Sequence, residues 1–95
     1  MEQTIRILAV GAYSEHQYTK QDGTPEYFKS RGVLMKRGGD TFYGEMTGEY
    51  ASKNRDTNYD SNVPYVVKGF WKHRVWGENK DHHENAFYIT DLQVM

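Results

Sequence analysis

Cysteine is absent from the 95 residues, which excludes a disulfide framework, a thiolate zinc site and a cysteine nucleophile. Long hydrophobic runs are missing as well. Only 37% of the residues are hydrophobic, mean hydropathy is −0.91, and no apolar stretch approaches the ~20 residues of a membrane helix. Met1-Glu2-Gln3 shows no basic region leading into an apolar core, so no signal peptide is expected. The expectation is one small cytoplasmic domain over 1–95, with no membrane partner. A charge of one sign is lacking too. Net charge is −1, from 12 basic and 13 acidic side chains, and that total argues against a polyanion partner. Gly-x-Ser-x-Gly, phosphate-loop and Gly-x-Gly-x-x-Gly patterns are all absent, so no enzyme and no cofactor is expected.

Aromatics are plentiful, at 15% with eight tyrosines, and glycine outnumbers proline by nine to two. The charges are also unevenly spread. Residues 27–37 hold Lys29, Arg31, Lys36 and Arg37 without an acid, and residues 63–76 hold Lys68, Lys72 and Arg74 without an acid. The rest of the chain keeps five basic against thirteen acidic side chains. A near-neutral total thus conceals two basic segments in an acidic background.

Both basic segments read as β-strands. Thr4–Tyr13 is a first strand, with Gly11 marking a bend or bulge. Asp22-Gly23 is a turn dipeptide, Tyr27–Lys36 a second strand, Arg37-Gly38-Gly39-Asp40 a turn, and Thr41–Thr47 a third strand. Gly48–Lys53 fits a helical turn or two, and Asn54–Asn62 is loop-rich in Asn, Asp and Ser. Val63–Trp76 is the strongest strand pattern. Its alternation assigns Tyr65, Val67, Gly69, Trp71, His73 and Val75 to a core face, and Val66, Lys68, Phe70, Lys72, Arg74 and Trp76 to an outer face. Gly77–Glu84 is a polar hairpin loop. Phe87–Val94 closes the series, with Tyr88, Thr90, Leu92 and Val94 on one face. Five strands with a short helix or irregular link after the third is the order of the OB-fold, an all-β Greek-key barrel. SH3-like barrels share the strand count.

Several segments together resemble the bacterial single-stranded DNA-binding protein family. Tyr18-Thr19 with Gly23, Thr24 and Pro25 resembles the turn before that family's second strand. Met46-Thr47-Gly48-Glu49-Tyr50-Ala51 resembles the end of its third strand and the start of its helix. Val66 to Trp76 resembles its fourth strand, and Tyr88 to Val94 its closing strand. The resemblance implies an OB-fold, sequence-tolerant binding of single-stranded DNA in replication, repair or recombination, and a dimeric or tetrameric homo-oligomer. The chain stops at Met95, so a short stand-alone member without the family's linker and acidic tip is expected. Thr47 stands where that family usually offers a stacking aromatic; Tyr43 and Phe42 are the nearest aromatics.

A single-strand site needs cations that follow phosphates and aromatic faces on which bases stack. The candidates are Lys29, Arg31, Tyr43, Lys68, Phe70, Lys72, Arg74 and Trp76, with the two basic strands expected side by side along one groove. Solvated barrel-surface charges are the plain alternative for the cations, and a packing role is the alternative for Tyr43. Trp71 and Phe28 are expected in the core, and Tyr50 and Tyr59 are expected to pack the link against the barrel. Tyr13 and Tyr18 flank the first hairpin. Adjacent His82 and His83 point to opposite sides of an extended chain, so no metal site is expected there, and His16 and His73 read as isolated polar residues. RNA in place of DNA stays open. The same face could instead serve as a protein-interaction or self-assembly surface, since aromatics and arginine favour such interfaces.

Overall fold

The computed structural model describes residues 2–76 and 79–95, with Trp76 described in backbone only. It contains β1 (Glu2–Val10), β2 (Ser14–Thr19), β3 (Pro25–Arg37), β4 (Asp40–Thr47), α1 (Gly48–Lys53), β5 (Pro64–Trp76) and β6 (His82–Val94). The sheet runs β1-β5-β6-β4-β3-β2, and a further β1–β3 pairing closes its first five members into a barrel. All these pairings are antiparallel except β4 with β6. This is the closed, OB-like all-β fold expected, with the short helix between the third and fourth barrel strands, β4 and β5.

β1 closes the barrel by pairing on both sides. Its first half, Glu2 to Arg6, pairs with β5, and its second half, Arg6 to Val10, pairs with β3. The β3 register slips between Ile7 and Ala9. Leu8 is the extra residue of this bulge, three positions before Gly11. A bulge increases twist and bends a strand, which lets β1 swing from one neighbour to the other. Gly11 sits just beyond the strand, and its N–H donates to the Gly32 carbonyl at 2.8 Å.

Alternate residues fill the interior: Ile5 and Ile7, Val33 and Met35, Met46, Val67, Phe87, Ile89 and Leu92 are all buried. Ala51 of α1 is also fully buried and plugs one end. Tyr50 and Tyr59 pack against the core beside it, and the Leu92 N–H donates to the Tyr50 hydroxyl at 2.7 Å. At the other end of β4, Phe42 meets Phe87 edge-on at 5.7 Å, and Trp71 lies 5.1 Å from Phe87. Trp71 is therefore not a core residue as expected. It leans on the core while staying 48% exposed, because β5 runs past the barrel at this point.

The polar Ser14–Thr19 segment has no strand signal of its own, yet it forms β2 by pairing with β3 from Ser14↔Ser30 to Thr19↔Pro25. A second ladder joins Lys72–Trp76 to His82–Ala86, and these residues pair only with each other. Both hairpins extend beyond the barrel as two-stranded arms. The radius of gyration is 14.8 Å, against about 12.4 Å for a compact chain of this length. The predicted loop over 77–84 is thus strand from His82 onward, and its first two residues lie outside the described part. Among the described residues no helix is long and apolar enough to cross a membrane.

A second bulge decides which residues of β6 face outward. Lys68 pairs with Asp91, but Gly69 pairs with Ile89, leaving Thr90 as the extra residue. The alternation expected for Tyr88, Thr90, Leu92 and Val94 therefore breaks: Leu92 points inward with Ile89, while Tyr88 points outward. Gly69 makes the close approach possible, since a Cβ there would lie 2.2 Å from the Tyr88 carbonyl oxygen and 2.8 Å from the Phe87 ring. Gly69→Ala should therefore cost about 1–3 kcal/mol of stability, measured as a lowered urea midpoint with an unchanged slope.

Candidate nucleic-acid interface

The hydrogen-bond register places outward residues in rows across the sheet. Gly32 of β3 pairs with Glu45 of β4, Glu45 with Tyr88 of β6, and Tyr88 with Phe70 of β5. Leu34 pairs with Tyr43 in the next row. At ~4.8 Å per strand, the first row spans about 14 Å. The barrel exterior here carries aromatic rings instead of the usual polar cover. Tyr43 is 55% exposed and Phe70 51%, and the Phe70 and Tyr88 rings lie 5.6 Å apart at 36°. Phe28, Thr47, Phe70, Lys72 and Tyr88 line a shallow groove on this side.

Gly32 shapes the platform. A Cβ on Gly32 would fall 1.8 Å from the Tyr43 hydroxyl and 2.5 Å from its ring. Tyr43 therefore lies flat across β3, over the one position without a side chain. A glycine inside a strand often marks such an approach. Desolvation, aided by the nearby Glu45 carboxylate, raises the Tyr43 pKa above its usual value, so the ring is presented as a neutral phenol.

The cations of the face are unequal. Arg74 hydrogen-bonds the Tyr88 hydroxyl at 3.3 Å, pairs with Glu84, and approaches Glu45 at 3.8 Å. Two carboxylates thus surround one guanidinium. Lys72 makes none of the ion pairs among the described residues and stands in the aromatic groove. Tyr43, Phe70, Lys72 and Arg74 of the expected set come together here.

The other expected residues do not join them. Arg31 lies on the inward alternation of β3 and is consumed by structure. It donates to the carbonyls of Gly11 (2.9 Å), Asn54 (2.6 Å) and Thr57 (2.8 Å), with its guanidinium 5.7 Å from the Tyr59 ring centre. It ties the end of β1 and the α1–β5 loop to β3. Lys29 shares that alternation and lines a separate hollow with Glu49, Ser52 and Lys53 of α1. Lys68 lies across the bulge and pairs with Glu2 of β1 at 3.6 Å. The side chain of Trp76 lies outside the described residues. The two basic strands are not side by side either: β4 and β6 separate β3 from β5 on one side, and β1 does so on the other.

Two residues of the face were not among those expected at the site: Phe28, expected in the core, and Tyr88. Phe28 is 43% exposed, because β3 begins beyond the barrel and pairs there only with β2. Tyr88 is turned outward by the Thr90 bulge. Gly32 in the middle of a basic strand is a further signal in the sequence for this surface, beside the alternation that put Phe70, Lys72 and Arg74 on an outer face.

No protein-family model, no curated protein and no solved structure matches the chain. The fold and the side chains of this face therefore carry the functional reading.

Arg31→Ala should behave as a folding variant. Losing its charge-assisted bonds should lower stability by about 2–4 kcal/mol in urea denaturation. Arg31→Lys should recover only part of that loss, since an ammonium lacks the guanidinium fork.

Proposed function

We propose that the outer face of β3, β4, β6 and β5 binds single-stranded nucleic acid, DNA in the first instance, without sequence preference and without chemistry. The observation that carries this reading is the set of accessible rings (Tyr43, Phe70, Tyr88 and Phe28) on one sheet face with Lys72 among them. Every base offers a face for stacking, so such a platform tolerates sequence, and each stacked base is worth ~1–3 kcal/mol. OB barrels hold oligonucleotides on the equivalent surface, between the hairpins that flank it. That analogy of position supports the reading without deciding it. Homology to single-stranded DNA-binding proteins, proposed from the resemblance of the strand segments, agrees with it.

The charge arrangement gives this reading a distinctive form. With Arg74 held by two carboxylates and Lys68 by Glu2, few cations are free to displace counterions. Stacking then carries more of the affinity than phosphate contact, and the salt dependence should be shallow, with a log–log slope of about −1 to −2.

A titration of oligo-dT into the protein, followed by tryptophan fluorescence and by anisotropy of labelled DNA, tests the proposal. Saturable binding at about 20 mM salt is expected, because electrostatic contacts are strongest there. Tyr43→Ala and Phe70→Ala should each weaken it roughly tenfold or more. Glu84→Gln should tighten it by releasing Arg74 towards phosphate. Absence of binding at that salt, or unchanged affinity in the Tyr43 and Phe70 variants, overturns the assignment.

A second reading, a protein partner or a second copy on the same face, is favoured by the ion pairs that quench Arg74 and Lys68. Sedimentation equilibrium separates the two: self-association lost in Phe70→Ala without any DNA binding supports the interface.

A further inference from the structure

The opposite face of the β5–β6 arm carries a second constellation. Across the ladder His73 faces Asn85, and Val75 faces His83. His73 and His83 are therefore diagonal neighbours on one sheet face, turned away from Lys72 and Arg74. Their rings lie 5.1 Å apart, and His73 Nε2 is 2.9 Å from His83 Nδ1. His73 Nδ1 lies 3.4 Å from Asn85 Oδ1. An amide oxygen only accepts, so this contact favours the proton on Nδ1 of His73 and leaves Nε2 with its lone pair. The proton between the two rings then belongs to Nδ1 of His83.

We propose that His73 and His83 form a two-imidazole site for a borderline divalent transition-metal ion of the Zn²⁺ type. The ion takes the place of the proton between the rings. His83 shifts that proton to Nε2, and its freed Nδ1 lone pair joins Nε2 of His73 on the metal. Two nitrogens on a tetrahedral zinc at ~2.0–2.1 Å lie ~3.3 Å apart, so the rings need to open by only about 0.4 Å. Asn85 stays on the far nitrogen of His73, the outer contact that metal-bound imidazoles ordinarily keep. Both rings are exposed, so the ion enters directly from solvent. Among the described residues no group of three His, Cys, Asp or Glu side chains is suited to a metal, so water completes the coordination. Imidazole selects zinc, nickel and copper, whereas calcium and magnesium call for oxygen ligands. The ion links two strands that hold only each other, and by binding the formed hairpin it stabilises the arm.

Isothermal titration of the whole chain with ZnCl₂ in a non-chelating buffer tests this. One ion per chain is expected, with no saturable heat from CaCl₂. His73→Ala and His83→Ala should each abolish the binding, while His82→Ala, on the other face of the strand, should leave it unchanged. Asn85→Ala should weaken it by about tenfold or more, with circular dichroism confirming that each variant is folded. Equal zinc affinity in His73→Ala and the unaltered chain, or no saturable binding at millimolar zinc, overturns the proposal.

Discussion

Closure of the barrel rests on β1, which supplies backbone partners to both β5 and β3. β3 and β5 pair with opposite ends of this nine-residue strand, and the bulge at Leu8 adds the bend that closing the barrel calls for. The inner and outer faces of the other four strands are defined only once that closure exists. Ile7, Val33, Met35, Val67 and Ile89 then share one interior, and Tyr43, Phe70 and Tyr88 are left on a common exterior. Buried apolar area accounts for the interior. The exterior needs a different account, because exposed rings gain little from staying in water. Their concentration on one face, with Gly32 making room for Tyr43, is what points beyond packing to binding.

The strand order and the helix after the third barrel strand were legible because alternation and turn residues report locally. Asp22-Gly23 shows this: Gly23 takes φ of 86°, and the Asp22 side chain accepts from the Thr24 N–H. What escaped was non-local. β2 has no apolar residue before Tyr18, and it is a strand because β3 offers an edge, not because Ser14–Thr19 prefers one. The Thr90 bulge likewise depends on how β5 meets β6, so alternation read along β6 alone put Tyr88 and Leu92 on one face where the bulge separates them. The exposure of Phe28 and Trp71 follows from strands that outrun the barrel, and strand length beyond the last shared pairing leaves no mark in composition.

Charge was the least legible feature of the candidate site. Acid-free windows along the chain suggested two free basic strands, but cross-strand neighbours decide what a cation meets. Glu2 comes from β1, Glu84 from β6 and Glu45 from β4, each on a different strand from the cation it faces. Arg31 shows the same limit in another way, because its partners are backbone carbonyls that no count of charged residues includes. The acidic surplus outside the basic windows is therefore partly spent on them, and the outer face is closer to neutral than its sequence suggests.

The two arms have a further consequence for dynamics. Residues in the barrel are held on both sides, whereas Ser14–Thr19 and Lys72–Trp76 are held by a single partner strand. Isolated two-stranded ribbons are marginal in water, so their amides should exchange with solvent by local opening while barrel amides wait for global unfolding. The ligand proposed for this face would touch Phe28 and Lys72 on the arms, and its binding would favour their zipped form. The affinity of the proposed site would accordingly depend on how firmly the arms are zipped, with the barrel and the contact residues left as they are.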